Sequence, residues 1–191
     1  TPIQLTVEEM RERYRGDDRE YRALLDECTR IVIEEVESLR NVVGRFRDFA
    51  RPVELQRRRF DANALLRDIG ALQRDLEILY DTVSYPLFVD GDEDRLRQIL
   101  MNLASNAREA GAKRLRLASS HVDGGVALVF EDDGPGIPVD ERARVFEPYR
   151  TGKAGGLGLG LALVKGIVLA HDGSIEVDEG ALGGARFTVV L

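Results

Sequence analysis

The sequence predicts an α+β chain in which an α-helical hairpin precedes a two-layer α/β sandwich, with helices on one face of a mixed sheet. Three observations predict it. Up to residue 52 the apolar residues recur at three- and four-residue steps, the spacing of one helix face. Beyond it, helix-like and strand-like segments are mixed. Two of the strand-like runs are separated by Gly124-Gly125, a hairpin signal. The expected division is a helical hairpin over 1–52 and an α/β domain over 53–191.

In the first segment Ile3, Val7, Met10 and Tyr14 share a helix face, and Gly16 to Asp18 breaks it. The pattern resumes with Leu25, Cys28, Val32, Leu39, Val42, Phe46 and Phe49, with Glu35 the one polar intrusion. Pro52 ends it near Arg51, because proline disfavours helical geometry in the residue before it. So narrow a seam, longer than its partner helix can cover, is expected to pack against a second copy of the chain as a four-helix bundle, the alternative being that it packs on the chain's own C-terminal domain. Ala62 to Leu76 reads as a helix and Pro86 to Val89 as a short strand before the acidic turn Asp90 to Asp94. Asp94 to Gly111 is a strongly amphipathic helix. Arg114 to Ala118 and Val126 to Glu131 form the hairpin, Leu159 to Ala170 is helical, and Ser174 to Val177 and Ala185 to Leu191 close the sheet.

Composition narrows the function classes. With 43% hydrophobic and 32% charged residues in 191, and no apolar run near the roughly 18 residues of a membrane span, the chain is expected to be soluble. Cys28, the single cysteine, suits a reducing compartment and is expected to be a small core residue. A net charge of −7 argues against general binding of nucleic acid, whose phosphates are held by excess Lys and Arg. Any anionic ligand must be held by local chemistry.

Three elements offer it. Asn102 and Asn106 lie four apart on the Asp94 to Gly111 helix, so both amides leave one face, while Leu96, Ile99, Leu100, Leu103 and Ala107 fill the other. An Asn carbonyl is a hard, neutral oxygen ligand suited to Mg²⁺ whose charge a triphosphate balances. Taken alone, the pair also reads as exposed or capping Asn. Glu131-Asp132-Asp133-Gly134-Pro135-Gly136 leaves a strand into a glycine turn. Glycines 134 and 136 let backbone approach a flat ligand, and Asp132 can accept a hydrogen bond from an exocyclic amine, which adenine has and guanine lacks at that position. Gly155-Gly156-Leu157-Gly158-Leu159-Gly160 runs straight into a helix, whose unpaired amides form a phosphate site. It matches neither the dinucleotide-binding fingerprint nor the P-loop, which needs Lys-Ser or Lys-Thr after the final glycine.

Order and spacing together resemble the sensor histidine kinases of two-component systems, of the nitrogen-regulation sensor type. The run Asp94 to Ala107 is similar to their asparagine box and Asp132 to Gly136 to their first glycine box. Phe146 to Lys153 is similar to their phenylalanine box, and Gly156 to Leu161 to their second glycine box, followed by His171-Asp172-Gly173. The resemblance implies the Bergerat ATP-binding sandwich shared with gyrase, the Hsp90 chaperones and MutL, with ATP and Mg²⁺ as ligands. Asp132 would bind the adenine amine, beside Gly134 and Gly136. Asn106 would ligate Mg²⁺, and Asn102 would support the metal or phosphates. Lys153 and the backbone of Gly156, Leu157, Gly158, Leu159 and Gly160 would hold the phosphates under a short lid, which Phe146 and Tyr149 would anchor by packing. Leu157 stands where the family often has Thr, and Gly152 replaces another common Thr.

Gyrase-like relatives carry a Glu one turn before the metal Asn to activate water; here that residue is Asn102, no general base, so ATP hydrolysis is expected to be weak. Thr1-Pro2-Ile3-Gln4-Leu5 resembles the tail of the phosphoacceptor box, so the hairpin would be a truncated dimerisation and phosphotransfer domain. The acceptor His would lie before Thr1 in a longer parent, leaving this fragment able to bind ATP but not to autophosphorylate. His121 and His171 match no acceptor position and read as structural or surface residues. The expected activity is transfer of the ATP γ-phosphoryl to that His and on to an Asp of a response-regulator receiver domain, in a homodimeric parent. The expected compartment is the cytoplasm, with room for an inner-membrane anchor upstream. The alternative function is a nucleotide-gated dimerisation or scaffold module without phosphotransfer.

Overall fold

The computed structural model describes residues 2–12, 19–50, 54–151 and 157–191. The chain divides into two compact units, Thr1–Ala50 and Arg51–Leu191.

The first unit is helical. α1 (Pro2–Glu12) packs against α2 (Arg19–Ala50), and Cys28 is buried in it as a small core residue. Tyr14 and the break at Gly16 to Asp18 lie outside the described residues, and the side chains of Val42 and Phe49 are likewise not described. Farther along α2, Val36, Leu39, Val43 and Phe46 are 38%, 50%, 64% and 53% exposed, an apolar row at three- and four-residue steps that nothing among the described residues of the unit covers.

The second unit contains β1 (Arg58–Asp61), α3 (Ala62–Leu72), β2 (Glu77–Thr82), β3 (Phe88–Gly91), α4 (Glu93–Glu109), β4 (Arg114–Val122) and β5 (Gly125–Asp132). There follow α5 (Val139–Arg142), α6 (Gly160–Ala170), β6 (Ser174–Glu179) and β7 (Ala185–Val190). The five-stranded sheet has the order β2-β4-β5-β7-β6, and a separate antiparallel pair joins β1 to β3. Only β2 and β4 run parallel, a pairing that needs a crossover, and α4 supplies it. The Gly124-Gly125 hairpin forms as expected, with Gly124 at φ +89°.

One face of this sheet carries the core. Leu115, Leu117, Leu128, Phe130, Val177, Phe187 and Val189 alternate inward along their strands and meet Leu65, Leu66 and Ile69 of α3, the apolar stripe of α4, and Val164, Ile167 and Val168 of α6. Each such side chain contributes about 1.5–3 kcal/mol by leaving water. Among the described residues no helix is long and apolar enough to cross a membrane.

Several boundaries differ from the sequence reading. The helix expected to reach Leu76 stops at Leu72, because Gln73 turns back on it: its backbone N–H donates to Gly70 and its side-chain amide to the Ile69 carbonyl at 3.2 Å. The acidic segment 90–94 is not a free turn. Its first two residues continue β3, and Asp92 caps α4 by accepting from Arg95 N–H at 3.0 Å. The strand expected to end at Ala118 runs on to Val122.

A buried amide staples α3 to the sheet edge. Asn63, 2% exposed, donates to the Val83 and Tyr85 carbonyls at 3.1 and 2.9 Å and accepts from the Ser119 hydroxyl. Asn63→Ala would leave the buried Ser119 donor and two part-buried acceptors without their partner. It is expected to lower unfolding free energy by roughly 2–3 kcal/mol, read from urea denaturation.

Candidate functional site

The expected ligand residues gather around α4. Asn102 and Asn106 are half-buried on its flank, while Leu96, Ile99, Leu100, Leu103 and Ala107 on its inner face are at most 3% exposed. The Asn102 Nδ2 donates to the Gln98 carbonyl at 3.0 Å. A carbonyl can only accept, so this bond orients the amide and leaves Oδ1 outward. That oxygen lies 3.4 Å from where a β-carbon on Gly160 would stand, against the first turn of α6. Two turns further along α4, the Ala110 methyl lies 3.7 Å from the β-carbon position of Gly134. One helix therefore touches the start of α6 and the glycine turn after β5, with Asn106 midway between them.

At α6, among the described residues, no side chain caps the helix start: Leu159, the N-cap residue, makes no side-chain cap bond and buries its side chain. Amides at an uncapped helix start favour an anion. Leu157 and Gly158 precede it half-buried, Gly158 at φ +63°. A β-carbon on Gly158 would stand 2.5 Å from the Arg150 backbone, and its carbonyl accepts from Tyr149 N–H at 3.0 Å. Residues 149–150 and 158 thus meet backbone to backbone. Lys153 and Gly156, both expected phosphate contacts, lie outside the described residues.

Three successive carboxylates at the end of β5 have three different environments. Asp132, 5% exposed, accepts through Oδ1 from Gly134 N–H at 2.8 Å and Ala185 N–H at 3.3 Å. Burial pushes its carboxyl above the ordinary carboxylate range, and the two backbone donors only partly offset this. Asp133 accepts from Lys113 N–H, Arg114 N–H and the Arg114 side chain at 2.7–3.0 Å, and these bonds, led by that of Arg114 N–H, hold it down at about 2. Glu131 is fully buried on the opposite face of the strand from Asp132 and accepts from Leu182 N–H at 2.6 Å.

The glycine turn has a mate that the sequence reading overlooked. Gly136, at φ +72°, packs on the backbone of Gly183 and Gly184 in the β6–β7 turn. A β-carbon on Gly184 would stand 2.3 Å from Asp132 Oδ1 and 2.6 Å from Gly134 N. The signal was present as Gly180, Gly183 and Gly184 between the closing strands.

Of the two aromatic anchors, Phe146 packs edge-on against Phe187 with ring centroids 6.4 Å apart. Tyr149 does not pack in this way: the residue is 64% exposed, and its contribution is the backbone bond to Gly158, made at φ +65°. His171 is structural. Its Nε2 accepts from Asp92 N–H at 2.9 Å and its Nδ1 donates to the Ile167 carbonyl at 2.8 Å, joining the end of α6 to the cap of α4. His121 is exposed and stacks on Tyr85.

Residues 91–191 match the family described as histidine kinase-, DNA gyrase B-, and HSP90-like ATPase. The chain belongs to that family. It is 31% identical to the nitrogen regulation protein NtrY of Azorhizobium caulinodans, over all of this chain and 26% of that protein. Among solved structures, the mycobacterial sensor histidine kinase MprB aligns with 71% of this chain and 96% of its own at 32% identity and a TM-score of 0.61. Full-length ShkA, crystallised with AMPPNP, aligns with 98% of this chain and 42% of its own at 31% identity and a TM-score of 0.71. The expected kinship with sensor histidine kinases and the Bergerat sandwich both hold. The chain spans about a quarter of the length of NtrY and of the kinase AtoS of Escherichia coli.

Within this ATPase domain, Asp133 ties the start of β4 to the glycine turn. Because its folded pKa lies below the unfolded value, the stability it contributes is complete above about pH 4 and is lost as pH falls toward about 2. Asp133→Asn is expected to cost roughly 1–2 kcal/mol at neutral pH, allowing for solvent screening, and nearly nothing near pH 2, measured by denaturant unfolding across that range.

Proposed function

We infer that this chain is the Mg-ATP-binding portion of a sensor histidine kinase, in which the helical unit and the ATPase domain serve one phosphoryl-transfer reaction. What carries this reading is α4: it sets the free oxygen of Asn102 against the uncapped start of α6 and its own far end against the turn that holds Asp132. Base and phosphate sites thus lie two helical turns apart along one helix, roughly 11–12 Å, a span suited to a nucleoside triphosphate.

Asp132, with one carboxylate oxygen engaged by backbone, would accept from the adenine amine with the other, while Gly134 and Gly136 leave room for the ring plane. The amides at Gly158 to Gly160 would take the phosphates, with Lys153 and Gly156 as further contacts. A cation would arrive with the triphosphate, held by Asn106 and supported by Asn102. Mg²⁺ bound there would neutralise charge on the phosphates. The site supplies placement and electrostatics but no base for water, since Asn102 is an amide whose nitrogen is committed to Gln98. Such a site suits transfer to an imidazole brought from outside it better than hydrolysis. The acceptor His would stand in the parent protein ahead of Thr1, and a response-regulator Asp would receive the phosphoryl group in turn, in the cytoplasm.

The uncovered row Val36, Leu39, Val43 and Phe46 supports a homodimer through α2. Burying one such Leu is worth about 1.5–3 kcal/mol, so Leu39→Glu is expected to weaken self-association at least about tenfold, measured by sedimentation equilibrium. Unchanged association would place the dimer seam elsewhere.

Calorimetric titration is expected to show ATP binding that requires Mg²⁺ and is abolished by EDTA. Asp132→Ala should weaken it by about 1.5–3 kcal/mol, roughly ten- to a hundredfold. Unchanged affinity would remove the adenine assignment.

A further inference from the structure

Glu131 is the one fully buried carboxylate among the described residues, and neither the fold's core nor the nucleotide chemistry accounts for it. It alternates with Asp132 along β5, so the two side chains leave opposite faces of the sheet. Both nevertheless end on the same structure, the β6–β7 turn. From the outer face, Glu131 Oε1 accepts from Leu182 N–H at 2.6 Å, and its side chain fills the space over Gly180, where a β-carbon would stand 2.5 Å from Cγ. From the inner face, Asp132 Oδ1 accepts from Ala185 N–H at 3.3 Å and lies hard against Gly184. Between these grips the turn is closed on itself by Gly180 N–H to the Gly184 carbonyl at 2.9 Å and Gly183 N–H to the Gly180 carbonyl at 3.0 Å. The second Glu131 oxygen has no hydrogen bond; Arg116, itself paired with Asp81, approaches it to 3.6 Å.

We propose that Glu131 is a positioning residue for nucleotide-base recognition, acting through the Gly180–Gly184 turn to hold Asp132. The turn is short and closed, so a shift at Leu182 reaches Ala185 within three residues. The Ala185–Asp132 bond is the longer of the two that orient the carboxylate, and it is the first to be lost when the turn relaxes. Removing the Glu131 side chain leaves Leu182 N–H without its acceptor and opens a void beneath Gly180, and both loosen the turn. Glu131→Gln keeps the volume and the acceptor oxygen. This inference rests on the assignment of Asp132 to the adenine amine.

The test is a set of Mg-ATP titrations on the whole chain, well below its unfolding temperature. They are paired with denaturant unfolding and with backbone amide resonances of Gly134, Leu182 and Ala185. Glu131→Ala is expected to weaken ATP binding by about five- to tenfold and to shift all three resonances, while Glu131→Gln binds within about twofold of the parent. Glu131→Met, close in volume, takes the place of Ala where Ala does not fold. Lower stability with unchanged ATP affinity would show a purely structural role and overturn the proposal, as would a Gln variant no better than Ala. Asp132→Ala in the same series separates the two ideas. If it weakens binding and the Glu131 variants do not, positioning fails alone. If it leaves ATP affinity unchanged, the base assignment fails and positioning with it, whatever the Glu131 variants do.

Discussion

Helix α4 buries Leu96, Ile99, Leu100, Leu103 and Ala107 against the sheet, and at 3.6 residues per turn that burial settles where its other residues point. Asn102 and Asn106 fall on the flank between core and solvent, where a polar side chain is neither stranded among apolar atoms nor fully hydrated. Both ends of the helix are also tied. Asp92 caps its start and is itself held by Gln56 N–H and, through its backbone, by His171. Burial would raise the Asp92 carboxyl, but the backbone donors outweigh it and hold the group below its ordinary range, so the cap stays charged at the positive end of the helix. The position of the Asn102 and Asn106 amides thus follows from core packing, a far stronger constraint than the single polar contact that Asn102 makes.

The end of β5 shows how adjacency in sequence becomes separation in role. Strand alternation sends Glu131 to one face and Asp132 to the other, and the chain turns before Asp133 can join either. Each acid then meets its own donors: Leu182 N–H for Glu131, Gly134 and Ala185 N–H for Asp132, and the start of β4 for Asp133. Asp132 takes its backbone donors on Oδ1 alone and its pKa is raised by burial, whereas Asp133 commits both oxygens to protein and is correspondingly acidic.

The elements that could be read from the sequence are those whose pattern is written in burial. α4 carries a full apolar stripe, and Val126 to Phe130 alternate under a glycine hairpin, so both were expected in place. β1 and β2 escaped notice for the converse reason. Of β1 only Phe60 is buried and β2 lies at the sheet edge with no buried residue, so neither carries the alternation that marks a half-buried strand. Their pairing is a tertiary fact. The early stop of α3 at Leu72 depends on Gln73 folding back, while Leu76 belongs to the core for a reason unrelated to helical spacing. Around the candidate site, box order singled out Asn102, Asn106, Asp132 and Gly158 as expectations, but the contact of Gly184 with Asp132 joins residues 52 apart in the chain and has no local signature.

The same contrast separates two ways in which the parts of the candidate site are held together. α6 meets α4 at both ends, with Asn102 beside Gly160 and His171 hydrogen-bonded to Asp92 N–H, so the two helices are in contact at two points. His171 must carry its proton on Nδ1 for both bonds to exist, which makes the junction a neutral, directional link and not a charge contact. The surroundings of Asp132 are built differently: two glycine turns pack backbone on backbone, Gly134 to Gly136 against Gly183 and Gly184, with no side chains on these glycines to interlock. Such a contact needs an external brace if a carboxylate is to be held to a fraction of an ångström, and a buried acid on the far face of the same strand is the nearest group able to supply one.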